Sequence, residues 1–190
     1  MVSRAASAGF ESLYWIRLLL VGAALGYSWP RLHGVDWRFS WRGGVAGLVA
    51  FAAWLITARA LPPPQGMPVA LAALSPISRE AWILGHILAS VSVIPLAEEL
   101  AFRGYLLRRV TALDFESLSP RQVKGWALVL TAVVYGLCQG AFWLPGMITG
   151  LVFGLVYART GRLGEALAAH ATGNALLTAA ALGDSQWQLW

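Results

Sequence analysis

The chain has 190 residues, of which 58% are hydrophobic and only 12% charged, and its mean hydropathy is +0.63. A soluble domain carries about 25% charged residues, so this composition excludes an ordinary soluble globular domain and points to a polytopic membrane protein whose helices need about 20 residues each. The net charge of +5 does not signal a nucleic-acid partner, because the basic residues fall between apolar runs and form no single patch. The single cysteine, Cys138, excludes an internal disulfide framework.

The first predicted span covers residues 10–29, with Arg17 close enough to an end to snorkel, and Pro30 closes it. No small-residue cleavage site follows, so a retained span is expected and not a removed signal peptide. A polar connection over residues 31–42 carries Arg31, Arg38 and Arg42. The second span, residues 43–61, is rich in Ala and Gly, which let helices approach closely, and ends at Pro62-Pro63-Pro64. Residues 65–78, interrupted by Pro68 and Pro76, read as a loop or a short interfacial helix. The third span starts near Glu80 and runs through Ile94, where Pro95 is expected to kink or restart a helix that continues to about Val110.

A polar connection over residues 111–124 follows, with Ser119-Pro120 as the start signal for the next helix. The fourth span is read over residues 123–139, the fifth over 142–158 and the sixth over 163–182. The fifth contains Gly146, Gly150 and Gly154, a doubled small-xxx-small face suited to tight packing. The fold expected is therefore all-α, a transmembrane helical bundle of about six spans plus short interfacial segments.

Several of the ten tryptophans (Trp29, Trp37, Trp41, Trp126, Trp143 and Trp187) stand near run ends, as interfacial belts require. Alternate connections place Arg31, Arg38, Arg42, Arg103, Arg108, Arg109, Arg121, Lys124, Arg159 and Arg162 on one side, against Arg4, Arg59 and Arg79 on the other. The positive-inside rule makes the first side cytoplasmic and puts both termini outside.

Few polar groups remain inside the spans: Glu98, Glu99, Arg103, Gln139, His170 and Asn174. Ionisable side chains there mark a functional site by default. Residues four apart share a helix face, so Glu99 lies under Arg103 while Glu98, about 100° round, lies over Phe102 and is left for chemistry. His170 and Asn174 also share a face, with only Ala171, Thr172 and Gly173 between them. The bland alternatives are a structural ion-pair lock for Glu98, Glu99 and Arg103, a hydrogen-bonded core histidine for His170, and packing residues for Cys138 and Gln139. His86, three turns before Glu98, reads as structural.

These residues form three ordered motifs: Glu98-Glu99-x-x-x-Arg103-Gly104, then Tyr135-Gly136-Leu137-Cys138-Gln139, then His170-x-x-x-Asn174. The set resembles the CAAX-protease and bacteriocin-processing family of intramembrane proteases, over about residues 95–178, and the stretch 150–161 looks like that family's connection between its second and third motifs. The length fits a single integral membrane domain over 1–190, with N-terminal spans and a Pro-rich connection in 1–80, and the resemblance implies a catalytic core in 81–182. It further implies that Glu98 activates water, that the second-motif residue holds this water, and that His170 and Asn174 stabilise the oxyanion, with Glu99 and Arg103 in support.

The implied activity is an endopeptidase cutting a lipidated, prenylated or membrane-anchored protein or peptide near the membrane surface, expected in a bacterial inner membrane. One departure stands out: the family's second motif ends in histidine, and here the residue is Gln139. Glutamine orients water but takes up no proton and ligates metal poorly. A catalytic zinc needs three His, Glu or Cys ligands, and no His-Glu-x-x-His motif is present, so a reaction without cofactor is expected and zinc is disfavoured. The same departure leaves open a catalytically weakened scaffold that binds a hydrophobic partner without cutting it. A question of depth also arises: from their cytoplasmic ends, Gln139 lies about 22 Å along its predicted helix and His170 only about 12 Å along its own.

Overall fold

The structure, a computed structural model, describes residues 14–58, 67–183 and 187. Among them there are helices and turns and no strand. In chain order the helices are α1 (Tyr14–Ser28), α2 (Trp41–Ala58), the single-turn α3 (Val69–Ala72), α4 (Pro76–Val91), α5 (Val93–Glu99), a π-helical stretch (Leu100–Leu106), α6 (Leu107–Thr111), α7 (Gly125–Cys138), α8 (Trp143–Thr160) and α9 (Leu163–Gly183). Short 3₁₀ turns extend α1 (Trp29–Arg31), precede α7 (Pro120–Gln122) and join α7 to α8 (Gly140–Phe142).

A helix stands at each of the six predicted span positions. Two helical runs are long and apolar enough to cross a membrane, Pro76–Thr111 with 36 residues, broken at Ser92, and Gly140–Thr160 with 21. Apolar helices over Trp41–Thr57 and Gly125–Cys138 are shorter. The start of the predicted first span at residues 10–13, Arg4, Arg59, and the end of the second at Leu61 with its three prolines lie outside the described residues.

Several boundaries differ from the sequence reading for identifiable reasons. The third span begins at Pro76, four positions before Glu80, because Ser75 caps it: its hydroxyl accepts from the Ser78 N–H at 3.3 Å and proline suits the first helical position. Its interruption falls at Ser92 (φ −130°, ψ −75°) and not at Pro95 itself, since a proline ring displaces the carbonyl four residues before it, that of Val91. Ser119-Pro120 opens only a 3₁₀ turn, in which the Gln122 side chain accepts from the Ser119 N–H at 3.1 Å, and α7 starts later, at Gly125.

Helix α9 is the centre of the bundle and packs on α2, α4, α5 and α8. Its contact with α2 is parallel, with Gly43 against Glu165 and Ala168, Gly47 against Ala169 and Thr172, and Ala50 against Gly173. The N-terminus of α2 is closed by a residue of α9: the buried Glu165 carboxylate accepts from the Ser40 hydroxyl at 2.7 Å and from the Gly43 N–H at 2.9 Å. A carboxylate there satisfies orphan helix donors and meets the positive end of the dipole. The loop before α2 is tied in turn, the Gly164 N–H donating to the Asp36 carbonyl at 3.1 Å. Arg38 clamps the Asp36 side chain at 2.7 Å, and these hydrogen bonds hold that carboxyl down at about 2.

The predicted glycine face of the fifth span is the antiparallel seam between α7 and α8. Gly146 abuts Gln139 and Gly136, Gly150 abuts Tyr135 and Ala132, and Gly154 abuts Leu128.

These contacts give a matched pair of expectations. A methyl at Gly47 would lie 2.5 Å from the Ala169 carbonyl oxygen and 2.6 Å from Thr172 Cβ, whereas Gly44 has nothing within 4 Å. Gly47→Ala is expected to destabilise by about 1–3 kcal/mol through overpacking, and Gly44→Ala to be neutral or to stabilise by up to about 1 kcal/mol through helix propensity. Thermal unfolding of both variants in neutral detergent checks the difference.

Candidate active site

The interruption at Ser92 sets up the site. It ends α4 early, so the Ser90 carbonyl lies in a last turn whose acceptors lack intrahelical partners. Asn174 of α9 supplies one, its Nδ2 donating to Ser90 O at 2.7 Å. The restarted helix α5 then presents Glu98 and Glu99. Beyond them the backbone widens into a π-helix, in which the Leu107 N–H reaches the Phe102 carbonyl five residues back. Such stretches are rare and recur at functional sites.

Glu99 is fully buried and Arg103 is 3% exposed. One oxygen, Glu99 Oε1, accepts from Arg103 Nη1 at 2.9 Å and from His170 Nδ1 at 2.8 Å. Arg103 spends a second nitrogen on α8, Nη2 donating to the Gly150 carbonyl at 2.8 Å, and its guanidinium lies over the rings of Tyr135 (4.9 Å) and Phe153 (5.4 Å). This corrects the charge count from sequence: Arg103 is inside the bundle and not among the cations of a connection.

His170 is held on three sides. Its ring stacks on Phe153 at 5.1 Å, meets the edge of Tyr135 at 6.3 Å, and has Nδ1 fixed by Glu99. An ionised carboxylate can only accept, so Nδ1 carries the hydrogen. That leaves Nε2 directed at Glu98, 3.9 Å from Oε2. At that separation the two close no hydrogen bond with each other, and both keep capacity for a third group. The Glu98 side chain is 32% exposed, against none for Glu99. Of two adjacent carboxylates, one is sealed in by Arg103 and His170 and the other is partly exposed.

The structure thus brings together Glu98, Glu99, Arg103 and His170, with Asn174 one turn further along the His170 face. Gln139 is placed differently. It caps the end of α7 with its side chain over Gly146 and, among the described residues, no hydrogen bond joins it to Glu98, His170 or Asn174. The α7 side chain that meets the cluster is Tyr135, one turn earlier, buried, with its phenol interacting with the Glu98 carboxylate. Sequence reasoning assigned Tyr135 no role, although it is the first residue of the second motif and shares a face with Gln139. His86 lies in a separate aromatic stack, 4.8 Å from the Tyr14 ring and 4.9 Å from Trp82, consistent with a structural role. Among the described residues, no group of three or more His, Cys, Asp or Glu is arranged to hold a metal ion.

Residues 80–176, a little over half of the chain, match the family model described as type II CAAX prenyl endopeptidase Rce1-like. No curated protein and no solved structure matches the chain.

The shared carboxylate oxygen makes a stability expectation. Removing one member of a buried ion pair strands the other, at about 3–5 kcal/mol, while replacing both with apolar groups is far milder. Arg103→Met is expected to be more destabilising than Glu99→Leu combined with Arg103→Met, read from unfolding midpoints in detergent. Equal midpoints would mean that the Glu99 charge is compensated by other groups.

Proposed function

The chain belongs to the Rce1-like family of type II CAAX prenyl endopeptidases, and from that premise we propose that it is an intramembrane endopeptidase in which Glu98 activates water to cut a prenylated, lipidated or otherwise membrane-anchored peptide near the membrane surface. The family is one of integral membrane proteases, and the two long apolar helical runs accord with it. The observation that carries the assignment of Glu98 is the asymmetry of the pair: Glu99 is spent on Arg103 and His170, and Glu98 is accessible.

The reaction needs one base, one nucleophile and donors for developing charge. Water bound between Glu98 and the substrate carbonyl gives a proton to the Glu98 carboxylate as its oxygen bonds to the carbonyl carbon. The carbonyl oxygen becomes an oxyanion, which accepts from His170 Nε2–H and from the Asn174 amide hydrogen not used on Ser90. Glu98 then delivers its proton to the departing nitrogen, the C–N bond breaks, and a carboxyl and an amine terminus are released. Donors fixed before reaction stabilise charge that appears only in the transition state.

Arg103 sets its guanidinium against the buried Glu99 carboxylate, and His170 holds the same oxygen through Nδ1. Tyr135 sets its phenol against the Glu98 carboxylate. Gln139, one turn beyond on the same helix face, packs over Gly146 and stands outside this set. The metal-free reading rests on the ligands: Glu99 is occupied by Arg103 and His170, which leaves Glu98 and one imidazole nitrogen, short of the three protein ligands of catalytic zinc.

The test is hydrolysis of a farnesylated CAAX-terminated peptide by the purified protein in detergent. Glu98→Gln keeps the shape and removes the base, and the rate is expected to fall by about 10²–10⁴-fold. Undiminished cleavage by this variant would take Glu98 out of the mechanism. Gln139→His is expected to preserve or raise the rate. Chelator is expected to leave the wild-type rate unchanged, and loss with recovery on adding zinc would overturn the metal-free scheme.

A further inference from the structure

Lined by none of the candidate active-site residues, a groove with a cavity volume of about 290 Å³ runs between α2 and α8. Its walls are apolar, Val45, Ala46 and Val49 on one helix and Val152, Leu155 and Val156 on the other, and at one end it is flanked by Arg42 and Arg159. Seven residues separate each arginine from the farthest lining valine on its helix, Val49 or Val152, so the apolar part extends about 10 Å along the helices from the basic rim. Trp41, 74% exposed, stands at the same rim with the Arg42 guanidinium 6.0 Å from its ring, as interfacial tryptophans do.

The two arginines differ from their neighbours in what they hold. Arg38 and Arg162 are engaged with Asp36, while Arg108, Arg109 and Arg121 donate to backbone carbonyls. Among the described residues, the guanidinium groups of Arg42 and Arg159 have no hydrogen bond and no ion pair. Arg42 is also the second residue of α2, where the helix dipole disfavours a cation. An anion between the two guanidinium groups would relieve both deficits. Basic pockets between membrane helices on the cytoplasmic side suit anionic lipid headgroups.

We propose that this groove seats one anionic phospholipid, its phosphate between Arg42 and Arg159 and an acyl chain along Val45, Val49, Val152 and Val156. The occupant follows from the combination: two cations at the rim select a phosphate, and an apolar channel running inward selects a chain attached to it. A prenyl chain alone has no use for the arginines. The seat lies apart from Glu98 and does not depend on peptidase activity.

Native mass spectrometry of the purified 190-residue protein, given equal phosphatidylglycerol and phosphatidylcholine of the same acyl chains in neutral detergent, tests it. Wild type is expected to retain the anionic lipid in about tenfold preference or more, given the contribution of two basic residues near a membrane surface. Arg42→Gln with Arg159→Gln is expected to abolish the preference. Arg31→Gln with Arg109→Gln removes equal charge outside the groove and is expected to keep it. Val49→Trp fills the groove with both arginines in place and is expected to release the lipid. The proposal is overturned if wild type shows no preference, if the control pair loses as much as the groove pair, or if Val49→Trp retains the lipid. Displacement of the phosphatidylglycerol by an equal amount of farnesylated peptide would also overturn it, by giving the groove to substrate. Helix content by circular dichroism reports folding, and if the arginine pair fails to fold, Val49→Trp and the control pair decide.

Discussion

One carboxylate oxygen, Glu99 Oε1, carries the convergence of three segments. It is met at 2.9 Å by Arg103 from the π-helical stretch and at 2.8 Å by His170 from α9, and Arg103 passes the connection on to α8 through the Gly150 carbonyl. At zero exposure such an anion is tolerable only with its partners in place. The requirement therefore fixes the rotation of the restarted helix, the depth of α9 and the approach of α8 together. It also sets the neighbouring carboxylate apart: Arg103 and His170 both meet Glu99 Oε1, and Glu98 is left at the partly exposed edge.

The backbone around this oxygen is irregular on both sides. Pro95 forbids a continuous helix before it, and a π-helix follows it at Leu100–Leu106. An uninterrupted α-helix from Pro76 to Thr111 would carry the same residues at a uniform 100° per step. The break lets α4 and α5 take separate directions, and Asn174 bridges the gap by bonding the Ser90 carbonyl at 2.7 Å. Asn174 thus holds the α4 end while His170, one turn before it, holds α5. A single face of α9 is laid against both halves of the interrupted helix, which is why these two positions belong to one motif.

Much of this was legible in sequence because it depends on local spacing. The separation of four between Glu99 and Arg103 dictated which glutamate would be paired, and the Gly146, Gly150 and Gly154 repeat identified a packing face before its partner was known. What escaped depends on where helices begin and how deep they sit. Gln139 was placed with the cluster because it ends a motif, but α7 starts at Gly125 after a separate 3₁₀ turn, and the residue level with His170 is Tyr135. The discrepancy in depth between Gln139 and His170 was this same fact seen from the sequence. Arg103 was counted outside because charge alone does not distinguish a buried guanidinium from a loop cation. Glu165 drew no attention because its partners, Ser40 and the Gly43 N–H, lie more than 120 positions away and an amide donor leaves no mark in composition.

Glu165 and His170 tie the packing of α9 to the candidate site. Both belong to α9, five residues apart. The first fixes the N-terminus of α2 and the second fixes Glu99. Between them α9 rests on Gly43 and Gly47, where there is no room for a methyl group. A one-residue slip along this contact would move His170 by about 1.5 Å and rotate it by about 100°, enough to break the bond to Glu99 and turn Nε2 away from Glu98. The parallel α2–α9 seam therefore does more than bury area. By admitting one register, with a carboxylate at one end and glycines along its length, it sets the position of the imidazole on which the arrangement of Glu98 and Glu99 depends.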